Sequence, residues 1–165
     1  MDKGSLSAML PPEMTTLRLE PLFIFQIEVK PPSIIGQTPG HDRRIGEIAG
    51  GSFEGEKLRG KILSGGSDWQ SLRADGTTTL NVRLVMQTDD NELIAMTYLG
   101  MRHGSKEVLD RIGRGETVSP TEYYMRATPY YETASRKYGW LNRIVSVAYG
   151  HRMAGGAIYQ VFQVY

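Results

Sequence analysis

The chain contains no cysteine. Disulfides, zinc–thiolate sites, iron–sulfur clusters and cysteine nucleophiles are thereby excluded. No apolar run approaches the roughly 18 to 20 residues that a membrane-spanning helix needs, and the first residues lack the basic start and long apolar stretch of a signal peptide. The expectation is a cytoplasmic protein with no membrane partner. Neither sign of charge is in excess: nineteen Lys and Arg stand against eighteen Asp and Glu, for a formal net charge of +1. The basic residues are scattered, whereas nucleic-acid binding by counterion release needs them gathered on one face, so nucleic acid is not an expected partner. His41, His103 and His151 show no H-x-H or H-E-x-x-H spacing, and no metal site is expected. There is no G-x-S-x-G elbow and no P-loop, and the glycine-rich stretches lack the strand-to-helix context that cradles phosphate, so no cofactor is expected either.

What the chain does have is glycine, nineteen in 165 residues, six of them between Gly50 and Gln70. Paired glycines at 50–51 and 65–66 mark backbone that takes positive φ or passes close to another group. Between the pairs, Leu58, Ile62 and Leu63 with Arg59 and Lys61 read as a strand, and the second pair reads as a tight exit loop presenting Asp68 and Trp69. A chain of this length fits one domain burying roughly 70% of its unfolded surface.

Residues 1–16 carry Gly, Ser, Pro and Met without periodicity and read as a flexible leader before a single domain over residues 17–165. Phe23, Phe25, Ile27 and Val29 alternate with Ile24, Gln26 and Glu28, which predicts a strand stopped by Pro31-Pro32. Residues 34–44 read as a long loop, and Ile45 to Ile48 as a return to the sheet before a break at Gly50-Gly51. Asp75-Gly76 and Asp89-Asp90-Asn91 suit hairpin turns on either side of a strand with Leu80, Val82, Leu84 and Met86 on one face. Leu93 to Leu99 reads as an apolar strand buried on both faces, ending in a loop, Gly100 to Gly104. One helix is predicted, Ser105 to Arg114, with Ser105 as N-cap and Gly115 as terminator. Further strands at Tyr123 to Ala127, Ile144 to Tyr149 and Ile158 to Tyr165 bring the number to about eight to ten, the spacing of an all-β sandwich or barrel, mainly antiparallel, with one inserted helix. The last strand is expected to help close the sheet, and pairing through it would give a homodimer.

Five blocks of the sequence carry a resemblance: G-G-S-F-E-G-E-K-L-R-G, G-G-S-D-W-Q, R-H-G, E-Y-Y-M-R-A-T-P-Y-Y-E-T and Y-G-W-L-N-R. In that order they resemble a bacterial and fungal family of small proteins called domain of unknown function 3237, or uncharacterised protein family 0311. The resemblance implies a lipocalin-like or allene-oxide-cyclase-like antiparallel β-barrel and no established general activity.

Candidate site residues follow from side-chain chemistry. Asp68 beside the apolar wall of Trp69 could be a general acid or base, or it could cap a turn while Trp69 plugs the barrel. Tyr124 and Arg126 share a strand face and could bind a carboxylate or enolate oxygen, unless Arg126 pairs with Glu132. Trp140 and Asn142 could form a wall and a polar contact of a pocket, although Asn142 could equally satisfy backbone groups. His103, before a helix N-terminus, could act as a base, and a histidine donating to a carbonyl is the plainer alternative.

These residues support a small-molecule pocket in a β-barrel, binding an apolar or aromatic ligand that bears a carbonyl or carboxylate. An enzyme of this kind would be a cofactor-independent isomerase, cyclase or hydratase, with Asp68 or His103 moving a proton and Tyr124, Arg126 and Asn142 holding an oxyanion. The alternatives are a non-catalytic carrier or sensor, in which Trp69 and Trp140 matter most, and a structural or oligomerising barrel with a filled interior.

Overall fold

The computed structural model describes residues 5–165. Of the expected leader, residues 1–4 lie outside the described residues; the remainder forms two exposed turns, α1 (Leu6–Met9) and a 3-10 turn (Pro12–Thr15). Ten strands follow: β1 (Leu19–Val29), β2 (Ser33–Gln37), β3 (Asp42–Glu54), β4 (Arg59–Ile62), β5 (Gly66–Leu72), β6 (Thr78–Thr88), β7 (Leu93–Gly104), β8 (Tyr123–Glu132), β9 (Val145–Met153) and β10 (Gly156–Val164). Helix α2 (Lys106–Gly113) joins β7 to β8, and a 3-10 turn (Gly139–Arg143) joins β8 to β9. Among the described residues no helix is long and apolar enough to cross a membrane.

All the pairings are antiparallel, and they close. The order runs β1-β10-β9-β8-β7-β6, then β4 and β5 end to end in one place, then β3, which pairs back onto β1. The result is an eight-stave barrel, with β2 extending β3 as a hairpin beyond the wall. Closure depends on glycine at Gly51: a Cβ there would lie 2.0 Å from the Gln26 carbonyl oxygen on β1, so any side chain would push the two strands apart. The Gly50-Gly51 pair therefore lies inside a continuous 13-residue strand and does not break it.

Other local expectations also change. Residues 34–44 are not a loop but a hairpin, its turn held by Thr38, whose Oγ1 accepts from the His41 N–H at 3.0 Å. Asp68 and Trp69 lie within β5, so they project to opposite faces instead of sharing a loop. Residues 100–104 belong to β7, which is buried on one face only; Leu93 and Leu99 are exposed. The Asp75-Gly76 and Asp89-Asn91 turns are hairpins, with Gly76 at φ 81° and Asn91 at φ 66°. Ser105 caps α2 by accepting from the Val108 N–H at 3.3 Å. The terminal strand β10 is hydrogen-bonded to β1 on one side and β9 on the other, which leaves no free edge along it for dimer pairing.

Alternation decides what fills the barrel. Phe23, Phe25 and Ile27, Leu84 and Met86, Ile94 and Met96, and Tyr131 and Val161 all point inward and are buried. Phe25 stacks on Tyr159 with centroids 4.7 Å apart, and Phe23 meets Phe53 and Tyr131 edge-on at 6.1 and 6.0 Å. Each such ring contributes about 1.5–3 kcal/mol of burial. Leu141 closes this end from the 3-10 turn. Below it, Asp90 accepts hydrogen bonds from Lys137 at 2.6 Å and Tyr138 at 3.0 Å.

Candidate functional site

Toward the other end, the inward phase of several strands turns polar. On β7 the inward series Ile94, Met96, Tyr98, Gly100 ends in Arg102; on β9, Ser146, Ala148, Gly150 ends in Arg152; on β3, Ile48 and Gly46 lead back to Arg44; and β5 contributes Asp68 and Gln70. Gly150 has a definite purpose here, because a Cβ would stand 2.6 Å from the Tyr159 ring, which occupies that space. Above these residues lies a cavity of about 900 Å³. Arg44, Gln70, Arg102 and Arg152 line its polar side; Val29, Leu72 and, from α2, Leu109 and Ile112 line its apolar side.

Asp68 sits one inward step below Gln70, buried, with Gln70 Nε2 donating to its Oδ2 at 2.6 Å. Its Oδ1 is buried and has no protein partner, and the same is true of the Tyr98 hydroxyl. Burial raises the Asp68 pKa; the Gln70 bond and the fields of Arg102 and Arg152 oppose this without cancelling it. Because Oδ2 already accepts from Gln70, Oδ1 is the oxygen left free to carry a proton. Tyr98 is held well above the ordinary phenol range by burial, with the proximity of Tyr159 and Asp68 adding to it. Tyr159 is raised for the same first reason.

The arginines are not neutralised by ion pairs. Lys30, Arg73, Lys106 and Arg114 around the mouth each pair with a carboxylate, but among the described residues Arg44, Arg102 and Arg152 have none within 4.0 Å. The Nε atoms of Arg44 and Arg102 are buried without a partner. Burial, and then the like charge of Arg152, pull the Arg102 pKa below its ordinary value. Arg152 donates to the carbonyls of Met153 and Gly156. The Tyr123 hydroxyl accepts from the Arg152 backbone N–H at 2.7 Å and shares a hydrogen bond of 2.9 Å with His151 Nδ1.

Of the residues singled out from sequence, only Asp68 lies in the lumen. Trp69, His103, Tyr124 and Arg126 are on the outer wall. There His103 stacks on Tyr124 with centroids 4.8 Å apart, and Arg126 lies 3.4 Å over the Tyr149 ring and 4.9 Å over that of Tyr124, with no ion pair to Glu132. Trp69, Tyr124 and Arg126 do share a shallow exterior cleft of about 730 Å³ with Leu99 and Met101. Trp140 and Asn142 are at the opposite, plugged end: Trp140 lies under Lys57, and Asn142 clamps the Thr133 backbone through two bonds of 2.9 Å. Sequence reasoning passed over Arg44, Gln70, Arg102 and Arg152. The available signal was a charged or amide side chain falling in the inward phase of an otherwise apolar strand. Among the described residues no three His, Asp or Glu side chains gather as a metal would require.

Comparison with known proteins gives a consistent picture. Residues 17–164 match the family described as protein of unknown function DUF3237. A UPF0311 protein of Rhodopseudomonas palustris is 32% identical over 151 residues, covering 90% of this chain and 99% of that one. The crystal structure of the conserved protein of unknown function from R. palustris superposes with a TM-score of 0.86 at 30% identity, over 94% of this chain and 100% of that one. A β-barrel-like protein of Acinetobacter baumannii has a TM-score of 0.80 at 37% identity, over 94% and 99% of the two chains. A Penicillium herquei structure, described as an enzyme, shares the fold with a TM-score of 0.68 at 21% identity, over 94% and 100%.

Proposed function

This chain belongs to the DUF3237 family, and from the geometry of its barrel mouth we propose that it is a cofactor-independent proton-transfer enzyme, an isomerase, cyclase or hydratase acting on an apolar substrate that bears a carbonyl or carboxylate. The observation that carries this reading is Asp68, a buried carboxyl with one oxygen unpartnered, set beneath a large cavity rimmed by unpaired arginines. A carboxyl whose pKa is raised by burial is suited to general acid catalysis. Oδ1 is buried and does not line the cavity, so this reading requires the Gln70 side chain to swing aside before a substrate reaches it. As a substrate hydroxyl or an added water bonds to the far end of a conjugated carbonyl system, or as a proton leaves carbon in an isomerisation, negative charge moves onto the carbonyl oxygen. Asp68 protonates the enolate at carbon, and its carboxylate recovers the proton that the hydroxyl, water or other carbon has lost. Atoms balance without a redox partner. Arg44, Arg102 and Arg152 stabilise the negative charge that develops on oxygen, the preorganised electrostatics that such reactions require. Of the two proton-moving residues named from sequence, Asp68 is retained and His103 is set aside, because its ring packs on the outer wall.

The test is exchange in D₂O. Aryl 1,3-diketones and α,β-unsaturated aryl ketones are incubated with the protein, and deuterium entering carbon is followed by NMR. Asp68→Asn should lower the protein-dependent rate by about 10²-fold or more. An unchanged rate in that variant, with the fold intact, would remove Asp68 from the chemistry.

A second reading, a non-catalytic carrier, draws on the exterior cleft, where Trp69, Tyr124 and Arg126 come together. It requires ligand to return unaltered and Trp69→Ala to weaken binding more than Asp68→Asn does.

A further inference from the structure

The substrate class can be narrowed by the charge left over at the mouth. Four of the basic side chains there are matched by carboxylates: Lys30 by Glu47, Arg73 by Asp75, Lys106 by Asp110 and Arg114 by Glu116. Three guanidiniums remain, from three different strands, facing one cavity whose own lining carboxylates, Asp75 and Asp110, are already taken by Arg73 and Lys106. Buried or half-buried arginines are normally paired, because taking a guanidinium out of water without a partner is costly. Here the cost is sustained at two Nε atoms at once, and Asp68 is no remedy, since its Oδ1 contacts none of the three guanidiniums and its Oδ2 is held by Gln70.

We infer that the ligand of this cavity is an organic carboxylate, its anionic head held by Arg44, Arg102 and Arg152 and its apolar body lying against Val29, Leu72, Leu109 and Ile112. The inference rests on the reading above that the mouth is the working site, and it chooses the carboxylate over the neutral carbonyl that the reading leaves open. Planar guanidinium forks match a carboxylate in a bidentate manner. The lining supplies both kinds of contact an amphipathic acid needs, arginines from β3, β7 and β9 and aliphatic side chains from β1, β5 and α2, the charged side chains of α2, Lys106 and Asp110, being paired with each other. Free phosphate would use the arginines but leave the apolar side unmatched.

Calorimetric titration with phenylbutanoate, naphthylacetate and octanoate, each beside its primary amide, tests this on the wild-type protein. At least one acid should bind about tenfold or more tightly than its amide, the order of effect lost when a charge-assisted fork has no anion to hold. Arg102→Met and Arg44→Met should each weaken that acid by about tenfold or more, and Arg102→Lys, which keeps the charge and loses the fork, should also weaken it. Equal binding of acid and amide, no binding of any acid at millimolar concentration, or equal displacement of the acid by inorganic phosphate would overturn the inference. The wild-type acid-to-amide ratio decides the matter even if a methionine variant fails to fold. Binding is read without turnover, so the result is separable from Asp68: Asp68→Asn should still bind the acid, and an exchange rate unaffected by that variant would refute the acid role without touching the anion site.

Discussion

The two ends of the lumen are built from the same strands by the same alternation, yet they differ in kind. At the plugged end, Phe23, Phe25, Phe53 and Tyr131 interlock and the 3-10 turn seals the opening with Leu141. At the mouth, the inward positions of β3, β5, β7 and β9 carry Arg44, Asp68, Gln70, Arg102 and Arg152 around open space. One end spends its inward positions on burial of apolar surface, and the other leaves buried polar atoms without partners. The lesson is that stability and chemistry have been separated along the barrel axis. A stable apolar plug allows unpaired polar groups at the other end, as functional sites commonly require.

The comparison breaks most visibly at Phe25. Phe25→Ala removes a ring stacked on Tyr159 and should cost about 3–5 kcal/mol in chemical denaturation. A loss below about 1 kcal/mol would mean that the plug is not the stabilising half.

A smaller effect of opposite sign is expected at the mouth. Asp68→Asn should stabilise the protein at neutral pH, on the order of 1 kcal/mol, as removal of an unfavourable active-site group does. The sign follows from proton linkage. The folded-state pKa of Asp68 is raised above its unfolded value of 3.8, so the native state holds a proton that the unfolded state has released. Wild-type stability therefore falls as pH rises from near 3.8 through the folded-state value, and the Asn variant escapes that fall. Melting temperatures of the two proteins should converge at acid pH and separate as pH rises. A gap that is constant, or that closes as pH rises, would contradict the assignment.

The least effect is expected for Leu109→Ala on α2, which is only half-buried over the cavity: a change of about 0.5–1 kcal/mol in stability, against a clear weakening of carboxylate binding. Equal losses of stability for Leu109→Ala and Phe25→Ala would erase the distinction between the ends.

Much of the architecture was legible residue by residue. The Phe23, Phe25, Ile27 alternation, the Asp75-Gly76 turn and the Ser105 cap are local facts, and each forms where local chemistry directs. Glycine at 50–51 misled because a glycine that allows two strands to touch has the same sequence signature as a glycine that breaks one, whereas Gly65, at φ 96°, turns the chain between β4 and β5 as its pair predicts. Asp68 was legible as a buried acid, although its strand was read as a loop. Tyr124 and Arg126 were correctly read as sharing a face, but period-two alternation does not say which face is inside. The answer came from Tyr123, Met125 and Ala127 packing into the lumen.

What the sequence determined by itself was therefore most of the strands and turns, though not β2 or β5, together with the single capped helix after β7 and the relative phase of side chains along the strands it found, all of which depend on neighbours a few residues apart. Only closure of the barrel, with β1 pairing to both β10 and β3, decided which phase faces inward and brought Arg44, Asp68, Arg102 and Arg152 to one end. These residues lie on four strands far apart in the chain, and no local rule relates them. They meet because backbone hydrogen bonds at a sheet edge must be satisfied, and the chain satisfies them by closing on itself.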